Sequence, residues 1–116
     1  MALGDVLDRI TILRIKAWKV HGETRERLLG ELEELIERWE EAGHGSLPEE
    51  DDLEAVNGLL WEVEDSLRRH EAKEDFGEDF VQLARSVYKL NDRRAALKRA
   101  VSEKLGSALI EEKLFW

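Results

Sequence analysis

An unbroken three-four repeat of apolar residues is the feature that most restricts how this chain can fold. Between positions 53 and 70 the repeat holds for nearly three heptads, at Leu53, Val56, Leu60, Val63, Leu67 and His70. Such spacing places every member on one face of an α-helix, and that face has to be buried against another element. Pro48 is the only proline among the 116 residues and suits the first turn of this helix.

The rest of the chain divides into three more helical segments. Helix one is predicted over Gly4–Val20, and helix two begins with a Thr24 cap and ends at Gly43. Helix four is predicted over Glu78–Leu105 and is closed by Gly106. The chain is therefore expected to be helical almost throughout.

Short connections between these segments favour antiparallel neighbours. The predicted fold class is all-α: an antiparallel bundle of about four helices, with a long helix 3–helix 4 hairpin and a C-terminal tail after Gly106. The chain is expected to form a single helical domain over residues 1–116. In the turn between helices three and four, Gly77 is free to adopt a positive φ. Three tryptophans are expected to anchor the core, namely Trp18, Trp39 and Trp61.

Helices three and four are long for so small a domain, at about 35–40 Å each. Elongated hairpins of this kind often bury their remaining apolar stripe by pairing with a second copy. The sequence therefore predicts a homo-oligomer, most simply a homodimer.

The charge distribution restricts the possible partners. The formal net charge is −9, which disfavours binding to nucleic acid and to an anionic membrane surface. Residues 23–80 carry about −15, whereas 1–22 and 81–116 are both basic. Either two basic helices lie against two acidic ones, or the first and last helices together form a basic lining.

Two further features of the composition concern the compartment. The chain lacks cysteine, which agrees with a reducing cytoplasm and excludes disulfides and thiolate metal sites. The apolar start of the chain contains aspartates and arginines, so it is neither a signal peptide nor a membrane span. We expect a cytoplasmic protein.

Polar residues interrupt the apolar face of helix four near its middle. Asn91, Arg94 and Lys98 follow one another at i, i+3 and i+7, so they share one face of the helix. A buried guanidinium without a partner is very unfavourable. Arg94 therefore needs a carboxylate from elsewhere in the chain, a water-lined cleft, or an anionic ligand.

Other helices supply residues that could meet this interruption, and helix one offers Asp5, Asp8, Arg9, Thr11 and Lys16. The candidate ligand-binding residues are Arg9, Lys16, Asn57, Trp61, Asp65, Tyr88, Asn91, Arg94 and Lys98. One interpretation is an internal salt-bridge network that fixes the register of the helices. The other is a pocket between helices that holds a small anion through bidentate arginine contacts.

Acidic pairs on helices two and three raise a metal-dependent alternative. Glu34 and Glu37, followed by Glu62 and Asp65, resemble the magnesium-binding pattern of the MazG-type nucleotide pyrophosphohydrolases. The resemblance is weak because several other acidic pairs match parts of the same pattern. The three histidines have no ligand-like spacing, so we predict neither a metal site nor a cofactor.

The stretch "LNDRRAALKRAVSEKLG" raises a second enzymatic alternative, because it is similar in character to the arginine-rich helices of all-helical chorismate mutases. Their chemistry needs several cations that hold two carboxylates, and four are available in Arg9, Lys16, Arg94 and Lys98. The full order of that motif is not present, so the likeness is one of fold and charge.

Four segments together resemble a known family. They are "GDVLDRITILRIK", "NGLLWEVED", "DFGEDFVQLARSVYKLNDRRAALK" and "GSALIEEK". They are similar to an uncharacterised bacterial domain-of-unknown-function family of small all-helical proteins. The resemblance covers most of the chain but carries over no catalytic residue, so it implies a fold and leaves open whether the protein is an enzyme.

Two functional hypotheses remain. The first is a homo-oligomeric helical interaction module with an interior polar cluster. The alternative is a binder of, or an enzyme acting on, a small anionic metabolite, with Arg94 and Lys98 as the cations and Asn91 as a polar anchor.

Overall fold

The protein is an all-α bundle, as its sequence predicts. The structure, a computed structural model, describes the backbone of residues 2–113 and the side chains of residues 2–106. The described part contains four helices, which are α1 (Leu3–Lys19), α2 (Gly22–Glu41), α3 (Pro48–Ala72) and α4 (Glu78–Lys113). None of them is long and apolar enough to cross a membrane.

The first helix is the centre of the bundle. α1 packs against α2, α3 and α4, and α3 also packs against α4. Leu7, Ile10 and Leu13 of α1 are almost fully buried. The other helices surround them with buried residues, which are Leu32 and Trp39 from α2, Leu53 from α3 and Val101 from α4. Helices one and four therefore touch.

α1 and α4 approach each other very closely at Gly4. The backbone N–H of Gly4 donates to Ser102 Oγ at 2.9 Å. A Cβ atom at this position would lie 2.7 Å from the carbonyl carbon of Lys98 and 2.8 Å from Ser102 Oγ. Only a residue without a side chain lets the start of α1 lie against the α4 backbone.

The α3–α4 hairpin extends well beyond the core. We call residues 61–100 the distal hairpin. No residue in it is fully buried. The molecule measures 54 × 34 × 23 Å, and its radius of gyration is 17.0 Å. A compact domain of this length has a radius of gyration of about 13 Å. The protein is therefore elongated, with one end far less well packed than the other.

The start of α2 and the α3–α4 turn differ from the predicted ones. α2 begins at Gly22 (φ 65°), before Thr24, and no side chain caps it. In the α3–α4 turn the positive φ falls on Glu74 (φ 54°) and not on Gly77, whose N–H donates to Asp75 Oδ1 at 3.3 Å. Pro48 occupies the first turn of α3 as predicted.

α4 continues where the sequence predicted a stop and a tail. The helix passes through Gly106, which is buried, and runs to Lys113. A glycine inside a helix costs only about 1 kcal/mol relative to alanine, and a long helix tolerates that. The predicted boundary at Leu105 is therefore wrong. The last residues of the predicted tail, 114–116, lie outside the described residues.

Of the three tryptophans predicted to anchor the core, Trp18 does not. Trp39 is buried, and its Nε1 donates to the carbonyl oxygen of Gly45 at 3.0 Å. Trp18, in contrast, is 84% exposed. Trp61 is half-buried, with Lys19 Nζ 5.7 Å from the centre of its ring.

The close approach at Gly4 generates a prediction. Gly4→Ala should lower the free energy of unfolding by about 1–3 kcal/mol, because the new methyl group forces α1 away from the α4 backbone. Urea unfolding followed by circular dichroism measures the change.

Gly30→Ala is the matched control, because Gly30 lies inside α2 and a Cβ atom added there would have no neighbouring atom within 4 Å. It should raise the stability by about 0.5–1 kcal/mol through helix propensity alone. Equal effects of the two substitutions would show that α1 and α4 are not in close contact at Gly4.

Candidate functional site

The polar interruption of α4 lies against α1, where Arg94 meets a carboxylate. Arg94 Nε donates to Asp8 Oδ1 at 2.9 Å, and Nη2 donates to Asp8 Oδ2 at 2.6 Å. The Asp8 side chain is 6% exposed and that of Arg94 is 29% exposed. This two-bond geometry is the strongest form of carboxylate–guanidinium pairing. Of the three partners that Arg94 could need, the structure contains the internal carboxylate.

A residue of α3 completes the connection between the helices. Asn57 Nδ2 donates to Asp8 Oδ1 and to Thr11 Oγ1, both at 2.9 Å. The Thr11 hydroxyl in turn donates to the carbonyl oxygen of Asp8 at 2.8 Å. Asp8, Thr11, Asn57 and Arg94 form what we call the polar cluster. It joins α1, α3 and α4 at one point.

The cluster holds both of its charged groups in their ionised forms. Burial raises the pKa of the Asp8 carboxyl, but hydrogen bonds from Arg94 and Asn57, together with the charge of Arg94, outweigh it. The pKa of Asp8 therefore lies below its ordinary value. The hydrogen bond to Asp8 raises the pKa of Arg94 in spite of partial burial.

A second ion pair lies beside the cluster. Lys98 Nζ is 2.7 Å from Asp5 Oδ1, and both side chains are partly exposed. With Glu64 nearby on α3, three carboxylates (Asp5, Asp8 and Glu64) face the two cations Arg94 and Lys98. The two cations are therefore already balanced by carboxylates of the protein itself. The predicted anionic ligand stays a prediction, and this balance does not favour it.

A cavity of about 150 Å³ opens next to the polar cluster, between α1, α3 and α4. Its walls are formed by Ile12, Ile15, Asn57, Leu60, Trp61, Glu64, Asn91 and Arg94. The structure thus brings four of the nine candidate residues to one cavity, namely Asn57, Trp61, Asn91 and Arg94. Asn91 is exposed and stands at the mouth, whereas Asn57 is buried.

The other candidates lie elsewhere. Arg9 is directed towards α2, with Nη2 3.7 Å from Glu31 Oε2. Asp65 pairs with Arg68 on the surface at 3.3 Å. Tyr88 is 55% exposed. These three side chains do not line the cavity.

The four cations required by the chorismate-mutase analogy do not converge. Arg9 faces α2, and Lys16 is half-buried on α1 one turn beyond Ile12, outside the cavity wall. Arg94 and Lys98 are paired with aspartates of α1. This arrangement does not form a site in which the four cations could bind two substrate carboxylates.

The acidic pairs of the metal-dependent alternative are also separated. Glu34 accepts a bond from Arg38 at 2.6 Å on α2, and Glu62 accepts one from Lys19 at 3.1 Å on α3. Within residues 2–113, α2 packs against α1 and not against α3. The described residues contain no group of three or more acidic or histidine side chains that could hold a metal ion.

Sequence reasoning named Asp8 and Thr11 among the polar residues of helix one but left both out of the candidate set. Both residues lie within the apolar face of α1, between Leu7 and Leu13, and both are buried. An aspartate inside a run of buried apolar residues is the signal that could have identified the partner of Arg94.

The fold and the cluster define a small all-α protein whose helices are joined by an interior ion pair. A family of unknown function, DUF6165, is described by a sequence profile that matches residues 1–115. The chain therefore belongs to that family, which confirms the predicted membership of an uncharacterised domain family. Searches among curated proteins and among solved structures found no match.

The ion pair generates a stability prediction. Arg94→Ala should lower the free energy of unfolding by about 2–4 kcal/mol, because it leaves the Asp8 carboxylate buried without a counter-charge. Arg93→Ala is the matched control, since Arg93 is exposed on the same helix and should change stability by no more than about 0.5 kcal/mol. Equal losses in chemical denaturation would remove the structural role of Arg94.

The lowered pKa of Asp8 generates a pH prediction. Its ordinary value is 3.8 and its folded value is lower, so the ionised carboxylate contributes stability above pH 3.8. That contribution is lost as the pH falls from 3.8 through the folded pKa. The unfolding free energy of Asp8→Asn measured against the native chain isolates this effect.

The stability difference between the two proteins should be constant above about pH 5 and should shrink below it. A difference that stays constant down to about pH 2 would show that Asp8 has an ordinary environment.

Proposed function

We propose that this chain is a helical interaction module that forms a homodimer through its distal hairpin. The observation that carries the proposal is the absence of any fully buried residue from 61 to 100 in a chain whose other half has a close-packed core. A two-helix hairpin does not bury enough apolar surface to be stable by itself, so a further layer is needed.

The burial pattern supports a position for that layer on the distal hairpin. In the proximal half of the hairpin, outside residues 61–100, α1 covers the apolar contact between α3 and α4. Leu53, Val56 and Val101 are at most 3% exposed there. In the distal hairpin α3 and α4 still contact each other through apolar residues, but these are only half-buried, namely Val63, Leu67, Leu83, Val87 and Leu90. A second protomer would cover the distal half in the way that α1 covers the proximal half.

α4 presents a second apolar stripe to solvent, beside the seam that packs on α3. Its members are all exposed and follow one another at spacings of four or seven after a first step of three: Val81, Ala84, Tyr88 and Ala95. We call this set the outer stripe. Val81 is 43% exposed and Tyr88 is 55% exposed. Exposed heptad positions of this kind are typical of a helix that packs against another helix.

The charges of the distal hairpin favour a second copy as the partner. Residues 61–100 contain nine basic and nine acidic side chains, whereas the whole chain has a net charge of −9. Residues 61–77 have a net charge of −3 and residues 78–100 have a net charge of +3. Arg94 and Lys98 are paired with aspartates of α1, so a smaller positive charge of this segment is open to a partner. A dimer that places α3 of one protomer against α4 of the other brings opposite charges together in the interface.

The size of the surface is adequate for a dimer. The α4 portion of the distal hairpin, residues 78–100, is about 35 Å long. Two helices side by side are about 20 Å wide, so one face covers about 700 Å². Stable interfaces bury about 800 Å² on each partner. We propose a cytoplasmic location for this dimer, in keeping with the cysteine-free sequence.

The dimer generates a prediction for solution behaviour. The native chain should sediment at twice its own mass at tens of micromolar. Tyr88→Glu should weaken association at least about tenfold, because it places a charge in the middle of the outer stripe. Sedimentation equilibrium measures both values, and circular dichroism checks that the helices remain.

Leu29→Glu is the matched control. Leu29 is 40% exposed on α2, outside the distal hairpin, and the substitution adds the same charge to the chain. This variant should dimerise as the native chain does. A native chain that is strictly monomeric at tens of micromolar would contradict the proposal, as would equal weakening by both substitutions.

A further inference from the structure

The orientation of the Asn57 amide leaves its carbonyl oxygen, Oδ1, without a protein partner among the described residues. Its Nδ2 donates to Asp8 and to Thr11, and the Thr11 hydroxyl hydrogen is itself directed to the Asp8 carbonyl. Both partners therefore accept, which places the amide nitrogen on their side and Oδ1 on the other. Asn57 is 6% exposed and lines the cavity, and no donor among the described residues reaches Oδ1.

Arg94 leaves a complementary donor in the same cavity. Its Nε and Nη2 are held by Asp8, while Nη1 has no acceptor among the described residues. The residue lines the cavity and keeps its positive charge. A charge-assisted donor and an unpaired carbonyl oxygen therefore face one small space.

The remaining walls add one more charge and an apolar surface. Glu64, on α3, contributes an exposed carboxylate at the rim, and Asn91, on α4, contributes an amide at the mouth. The rest of the lining is apolar or aromatic, from Ile12, Ile15, Leu60 and Trp61. A few convergent polar groups set in an apolar cavity are typical of a small-molecule site.

We propose that this cavity binds a small zwitterion that carries one ammonium group and one carboxylate group, the chemistry of an amino acid. The ligand carboxylate accepts from Arg94 Nη1 and from the Asn91 amide. The ligand ammonium donates to Asn57 Oδ1 and to the Glu64 carboxylate. A cavity of about 150 Å³ is large enough for a benzene-sized molecule, which limits the ligand to a short amino acid.

The charge balance selects a zwitterion over a simple ion. An anion would enter a region where three carboxylates already outnumber two cations. A simple cation would face the free Nη1 of Arg94. A ligand with both charges matches each pole of the cavity and leaves the net charge unchanged.

The test is a titration of the ¹⁵N-labelled full chain with glycine, β-alanine and 4-aminobutyrate, which differ in the distance between their two charges. Acetate and methylammonium each carry one of the two charges and serve as half-ligands. At least one amino acid should shift the signals of the Trp61 indole and the Asn57 and Asn91 side-chain amides, with a Kd of about a millimolar or below. The half-ligands should bind at least about tenfold more weakly.

A pair of substitutions assigns the ammonium pole. Glu64→Gln keeps the shape of the rim and removes its charge, so it should raise the Kd at least about tenfold. Glu71→Gln, one heptad further along α3 on an exposed position outside the cavity, should leave the Kd unchanged. The proposal is overturned if no amino acid shifts these signals, if acetate binds as tightly as the amino acids, or if the two variants behave alike.

Discussion

The ion pair between Asp8 and Arg94 is the interaction on which the rest of the structure depends. It connects α1 to α4 at a site where neither charge can be solvated fully. Asn57 of α3 donates a hydrogen bond to the same aspartate, so α3 is connected as well. Apolar packing is tolerant of small shifts along a helix, whereas a two-bond ion pair is not. The pair, together with the contact at Gly4, therefore defines the register of α1 on the hairpin.

This register explains why the two ends of the molecule differ. α1 ends at Lys19, so it covers the proximal half of the α3–α4 hairpin and reaches only the near end of the distal hairpin, at Trp61, Arg94 and Lys98. The cavity opens where this cover stops, next to Trp61, and the distal hairpin, which forms part of the cavity wall, contains no fully buried residue. The proposed self-association and the proposed ligand binding both rest on this arrangement of one short central helix on a long hairpin.

Much of the fold could be predicted, because three-four spacing is a local property of the sequence. The same reasoning identified the polar interruption of α4 and the need of Arg94 for a partner. It did not select Asp8, because Asp5 and Asp8 lie one turn apart on the same helix and only the docking of α1 shows which of them meets Arg94. Spacing alone assigns Arg9 and Tyr88 to the site, because the stripe of residues that it defines on a helix is wider than the face that the neighbouring helix covers. Gly106 does not end α4 as predicted, because a glycine ends a helix only when other sequence signals for a helix end agree with it.

A double-mutant cycle between Asp8 and Arg94 tests the central claim most directly. The unfolding free energies of Asp8→Ala, Arg94→Ala and the double variant give the coupling between the two side chains, free of their separate contributions. The two-bond ion pair predicts a coupling of about 1.5–3 kcal/mol, with the double variant more stable than the sum of the single losses implies. A coupling near zero would show that the two side chains do not interact in the folded protein.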